Sequence, residues 1–226
     1  LNTYYIFMNN NFNYYTGVIG YPVLFVLLIW VVYWVEFKFN INLKIYGIQP
    51  DKFEGLIGVF FSPFLHSSLE HLFNNTIPLF LLSSAIFYFY KKISWRIIVS
   101  GIILSGILTW IIGIDSTHIG ASGLIYVLIS FIFFKGIVSK NFNLMALSLI
   151  VVFIYGSTIW YIFPIKENMS WEGHLSGFLV GILLAFVFKK NIPANKTYSW
   201  QNENYDTTED PFLQQFDKDG NFIEKE

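Results

Sequence analysis

Ser122 lies in the stretch GASGLIY, residues 120–126, with a glycine on either side of the Ala121-Ser122 pair, where a long apolar run begins. A serine at a helix start is a candidate nucleophile, because the backbone N–H groups there are unpaired and face an incoming anion. The flanking glycines remove side chains that would keep a substrate backbone away. A serine hydroxyl needs a base, and the histidine that fits is His174 in WEGHLSGFLVG, near the start of another apolar segment. Gly173, Gly177 and Gly181 recur there every four residues, a small-residue stripe that lets two helix backbones approach closely. Tyr126, one turn after Ser122, is positioned to stack on the imidazole through its ring. His71 and Asn75 are spaced i, i+4 and share a helix face. Together with the Ser122 N–H they would supply three donors to the oxyanion of a tetrahedral intermediate.

Each residue also has a plainer reading. A Gly-Ala-Ser-Gly run is a packing contact in many membrane helices, a single intramembrane histidine often bonds a neighbouring helix, and a His-x-x-x-Asn pair serves as polar glue. The combination is what points to chemistry. A metal site fits poorly. His66 and His71 are five residues apart, about 140° around a helix, whereas helical zinc ligands sit four apart on one face. The chain has four histidines and no cysteine, so disulfides, thiolate nucleophiles and cysteine-ligated metals are excluded. The proposed chemistry calls for no cofactor and no metal.

These residues need elements to position them. The chain has 226 residues, 54% hydrophobic and only 13% charged, against about 25% charged in soluble domains. That leaves too little polar surface for a water-soluble globule and predicts a polytopic membrane protein. The net charge of −1 argues against a nucleic-acid partner, which favours a basic face. Six segments approach the length of a spanning helix: residues 17–36, 70–90, 94–114, 121–138, 143–163 and 173–188. The fourth and sixth are short, which a helix beginning inside a protein-lined cavity tolerates. The first loop, residues 37–69, is too long for a passive connector. Its apolar stretch GLIGVFFSPFLHSS, interrupted by Gly58 and Pro63, is expected in the interface or against the bundle.

The predicted organisation is an N-terminal segment over 1–16, a six-helix membrane domain over 17–190 and an acidic tail over 191–226. The first segment has no Lys or Arg to make a signal-peptide start. The tail holds eight acidic residues and three lysines, which predicts a solvated, partly disordered appendage. Lys91, Lys92 and Arg96, then Lys135 and Lys140, then Lys189, Lys190 and Lys196 fall on one side of six spans. This bias predicts both termini in the cytoplasm, although Lys38, Lys44 and Lys52 of the first loop run against it.

HSSLEHLFNN on the second segment, GASGLIY on the fourth and GHLSGFLVG on the sixth, in that order, resemble the rhomboid intramembrane serine proteases across residues 17–190. The resemblance implies an all-α, six-helix membrane bundle with a half-submerged first loop. It also implies Ser122 as nucleophile and His174 as base, a dyad with no acidic third member. His71 and Asn75 match the family's oxyanion positions, and Gly120, two before the serine, groups with them. Tyr126 matches the residue packing under the histidine, and His66 a further histidine preceding the oxyanion pair. Many rhomboids carry a Trp-Arg pair in the first loop, and residues 37–69 contain neither Trp nor Arg. The expected activity is hydrolysis of peptide bonds in or beside transmembrane segments of client proteins in the bilayer of a bacterial cytoplasmic membrane. The alternatives are a catalytically silent, client-binding relative and a small transporter that uses the same polar residues as a solute path.

Overall fold

The computed structural model describes residues 15–114, 116–165, 169–190, 205–206, 208, 210–217 and 219–223. The start of the N-terminal segment and much of the acidic tail therefore lie outside the described residues. Among the described residues seven α-helices run in chain order: α1 (Gly17–Phe39), α2 (Gly58–Phe61), α3 (Leu69–Phe89), α4 (Ser94–Ile112), α5 (Ser122–Ser139), α6 (Phe142–Tyr155) and α7 (Trp171–Val187). Two isolated antiparallel bridges, Ile48–His118 and Phe216–Phe222, are the extended pairings among the described residues. An all-helical bundle is what a bilayer imposes, since a helix satisfies its own backbone hydrogen bonds where no water can.

Among the described residues five segments are long and apolar enough to cross a membrane: α1, α3, α4, α5, and α6 with its continuation to Ile162. The fifth expected segment is not α-helical throughout. It turns into a 3-10 helix at Gly156–Ile162, which aims backbone carbonyls toward the neighbouring helices. The sixth, α7, has 17 residues, about 25 Å of helix, against roughly 30 Å of hydrocarbon.

Helix α5 is the central element and touches α3, α4, α6 and α7. Eleven of its 18 residues are buried, against four of the 23 in α1. The outward faces are apolar, with Leu24 and Val31 on α1, Ile77 on α3, Phe153 on α6 and Leu183 on α7 all exposed. In lipid these faces gain nothing by associating, so close packing and internal polar bonds must hold the bundle. The α5–α7 contact is closest. A Cβ on Gly177 would overlap the carbonyl oxygen of Gly123 and lie 3.0 Å from Tyr126 Cβ. A Cβ on Gly181 would overlap Ser130 Oγ and the Val127 carbonyl. At the far end of α5, fully buried Lys135 donates from Nζ to the Phe188 and Lys189 carbonyls, closing the end of α7.

The first loop is a series of 3-10 turns (Leu43–Tyr46, Phe53–Ile57, Ser62–Phe64) around α2. It is anchored without a Trp-Arg pair. Ile48 exchanges two backbone hydrogen bonds with His118, at 3.0 and 2.8 Å, and Trp110 Nε1 donates to the Lys52 carbonyl at 2.9 Å. Gly58 lies against the Gly47–Ile48 backbone so tightly that a Cβ would overlap it.

Residues Ala194–Glu226 form a separate compact unit. In its described part, Asp217 Oδ1 accepts the N–H groups of Asp219 and Asn221 at 2.9 and 2.8 Å. The turn this makes pairs Phe216 with Phe222, whose ring centroids are 6.0 Å apart.

Candidate active site

Ser122 is the first residue of α5, half-buried, where its own N–H has no carbonyl one turn back to bond. Gly120 shapes the turn into it with φ +113°, a conformation open to glycine. The Gly120 N–H donates to the Ser62 carbonyl at 2.8 Å, so this amide is already committed. The resemblance grouped Gly120 with the oxyanion donors. Here its part is to leave space: a Cβ on Gly120 would fall 2.6 Å from His71 Nε2 and 2.7 Å from Cε1.

His71 is thereby held over the turn that leads to Ser122. Its Nδ1 lies 3.5 Å from the Ser67 N–H, which donates to it, and 3.1 Å from Ser67 Oγ. An Nδ1 that accepts leaves the proton on Nε2, the atom facing Gly120, and makes that atom a donor. The helix start holding His71 is capped by Ser68, whose hydroxyl accepts the His71 N–H at 3.1 Å. Asn75, buried one turn on, donates one amide hydrogen to the His71 carbonyl at 2.8 Å and keeps a second. His66 is buried with its ring edge-on to His71 at 5.0 Å. Burial, joined by His71, pushes its pKa down to about 4.

His174, on α7, stacks on Tyr126 of α5 with ring centroids 4.4 Å apart and planes 17° from parallel. Its Nδ1 lies 3.0 Å from the Tyr161 carbonyl. A carbonyl only accepts, so Nδ1 carries the proton and Nε2 presents a lone pair. That is the tautomer a general base needs. Tyr126 does more than stack, because its hydroxyl donates to the Thr158 carbonyl at 2.6 Å. The sequence pointed to the ring alone. Base and ring are thus both tied to the 3-10 turn at Gly156–Ile162. Among the described residues Ser122 Oγ makes no hydrogen bond to His174. The helix packing brings the two helices together and leaves that last bond unmade, a common state of catalytic pairs without substrate.

The glycine stripe divides. Gly177 and Gly181 meet α5, whereas the space beside Gly173 faces Ser170 Oγ at 2.9 Å and Thr109 Oγ1 at 3.9 Å. A cavity of about 30 Å³ lies there, lined by Ser62, Ser105, Thr109, His118, Ser122 and Gly173 among others. Roughly 10–15 Å³ suffices for one water where polar partners exist. The Ser105 and Thr109 hydroxyls donate to carbonyls of their own helix at 2.6 and 2.8 Å, which leaves their oxygens free to accept. Among the described residues no three potential metal ligands cluster.

Residues 54–191 match the model of the Rhomboid domain. The chain belongs to the rhomboid family. It is 35% identical over 180 residues to the uncharacterized protein Rv1337 of Mycobacterium tuberculosis, covering 72% of each chain. The uncharacterized protein Mb1372 of Mycobacterium bovis gives the same identity and coverage. The uncharacterized protein ML1171 of Mycobacterium leprae is 28% identical over 200 residues, 81% of this chain and 75% of its own. As a rhomboid the chain is a multi-pass integral membrane protein with a helical bundle.

Three features of this rhomboid escaped sequence reasoning. The carbonyls of Tyr161 and Thr158 hold the base and its support, and a backbone acceptor leaves no trace in residue type. Ser67, which sets the His71 tautomer, is visible in HSSLEH but has no distinguishing spacing. His118, the one histidine given no role from the sequence, is buried just before the nucleophile. Burial lowers its pKa against the opposing pull of the Glu172 carboxylate and the Ile114 carbonyl.

Proposed function

We propose that this rhomboid is an intramembrane serine endopeptidase that cuts client proteins in or beside their transmembrane helices. The observation that carries the reading is the base. His174 stacks on Tyr126 and has its Nδ1 proton held by the Tyr161 carbonyl, on a helix packed glycine-to-glycine against the one that Ser122 opens. The Tyr161 carbonyl does the orienting that a carboxylate does in a three-residue catalytic set. His174 Nε2 takes the Ser122 proton as Oγ attacks the scissile carbonyl, and the oxyanion is met by the Ser122 N–H, His71 Nε2–H and the free Asn75 amide hydrogen. The leaving amine takes the proton from His174. A water, for which the neighbouring cavity has room, then hydrolyses the acyl-enzyme with His174 again as base.

The clients are single-span helices that must unwind locally to present a carbonyl to Ser122. The Lys/Arg bias supports both termini in the cytoplasm of a bacterial inner membrane. The missing Ser122–His174 hydrogen bond favours one second reading, a silent rhomboid that binds client helices without cutting them. A fluorophosphonate probe separates the two. Wild type should label and cleave a model transmembrane substrate, and Ser122→Ala and His174→Ala should each abolish both, with no further loss in the double variant. Labelling that survives Ser122→Ala would end the serine mechanism.

A further inference from the structure

We propose that His118 is a positioning residue whose imidazole forms a crossbar between the helix that carries the nucleophile and the helix that carries the base. The proposal rests on the protease reading. His118 lies four residues before Ser122, and Ser170 lies four residues before His174. His118 Nδ1 and Ser170 Oγ are 2.5 Å apart, so the bond joins the approaches to the two helices at equal sequence distances from nucleophile and base.

The proton arrangement is settled by the other side of the ring. Nε2 lies 3.4 Å from the Ile114 carbonyl and 3.3 Å from Ser116 Oγ. The carbonyl can only accept, so Nε2 carries the proton, Nδ1 accepts, and the Ser170 hydroxyl donates to it. Ser170 is the N-cap of α7, a position where a serine hydroxyl ordinarily accepts an N–H from the first turn. Here it makes no such bond. The helix end goes without its usual cap while the hydroxyl reaches across to His118.

The backbone of His118 is held as firmly as its ring. It exchanges hydrogen bonds with Ile48 of the first loop at 3.0 and 2.8 Å. The residue is buried, and its neighbour Gly120 bonds the Ser62 carbonyl at 2.8 Å. The crossbar is therefore mounted on the first loop, which fixes the turn before Ser122, and it reaches the start of α7. Below the dyad, α5 and α7 are locked by Gly177 and Gly181. On the loop side of the dyad the approach is looser, since a Cβ on Gly123 would still lie 3.5 Å from the Gly173 carbonyl. The His118–Ser170 bond is a polar tie on that side, and losing it lets the first turn of α7, with His174, drift from Ser122.

The test uses full-length protein in detergent with His118→Leu, Ser170→Ala, the double variant and His118→Asn, whose Oδ1 can take the place of Nδ1 as acceptor. For His118→Leu and Ser170→Ala, kcat on a model transmembrane substrate should fall about 10- to 100-fold, the scale of a displacement near 1 Å, with KM little changed. The double variant should be no slower than the slower single, and His118→Asn should recover most of the loss. Thermal unfolding of the same proteins reads the bond without turnover, as non-additive losses in His118→Leu and Ser170→Ala. Additive losses in both kcat and unfolding would overturn the crossbar. Coupled unfolding with unchanged kcat would overturn the positioning role and leave a structural bond. Coupled unfolding in a wild type that neither labels nor cleaves would overturn the protease reading and the positioning role with it, while the bond itself stood.

Discussion

Gly120→Ala puts one methyl group between the turn before Ser122 and the ring proposed to stabilise the oxyanion. The new Cβ would lie 2.6 Å from His71 Nε2, and ordinary contact begins at 3.4 Å. The imidazole must retreat by about 0.8 Å, enough to take its N–H out of hydrogen-bond range of an oxyanion placed for the present geometry. Losing one such donor is worth about 10²–10³ in kcat. The φ of +113° adds backbone strain of about 1–3 kcal/mol for a non-glycine residue, which thermal unfolding registers separately. The assay is the kcat for a model transmembrane substrate in detergent, with His71→Ala introduced into both backgrounds. In wild type His71→Ala should cost its full factor. In Gly120→Ala it should cost little more, because the donor has already been displaced. Wild-type turnover by a folded Gly120→Ala protein would refute the reasoning. So would losses from the two substitutions that simply multiply.

Three further outcomes are expected. Tyr126→Phe removes the 2.6 Å bond to the Thr158 carbonyl, worth about 1 kcal/mol net, and should slow cleavage roughly five-fold; Tyr126→Ala also removes the stack under His174 and should be much slower. Equal rates for wild type and both variants would show that neither ring nor hydroxyl supports the base. In this cysteine-free chain, Lys91→Cys and Lys190→Cys should label from one side of the membrane and Ser116→Cys from the other, and labelling of all three from one side would overturn the proposed topology. The buried His66 has its pKa lowered from 6.5 to about 4, so the folded state resists a proton that the unfolded chain accepts. Its stabilising contribution is complete above about pH 6.5 and is lost as pH falls toward about 4, by up to about 3 kcal/mol. Unfolding of wild type should therefore become easier with acid more steeply than unfolding of His66→Asn, and parallel acid profiles would exclude His66 as the source.

The apolar segments and the order of three short motifs were legible in the chain because they depend on residue type and local spacing. Low charge and long apolar runs dictate helices in a bilayer, whatever packs beside them. GASGLIY, GHLSGFLVG and the His71–Asn75 pair each state their chemistry within a helical turn or two. What packing decided is everything that depends on a partner distant in sequence. Only the folded chain brings the Tyr161 and Thr158 carbonyls to His174 and Tyr126. Only the folded chain shows that two of the three stripe glycines meet α5 while Gly173 faces a cavity. The resemblance groups Gly120 with the oxyanion positions, and only the folded chain shows its amide bonded to the Ser62 carbonyl of the first loop. His118 and Ser170 are 52 residues apart, with no periodicity to link them. A hydrogen bond between helix ends is set by how the helices dock: the glycine stripe announces a close approach without naming the face it meets, and a backbone acceptor leaves no mark in residue type.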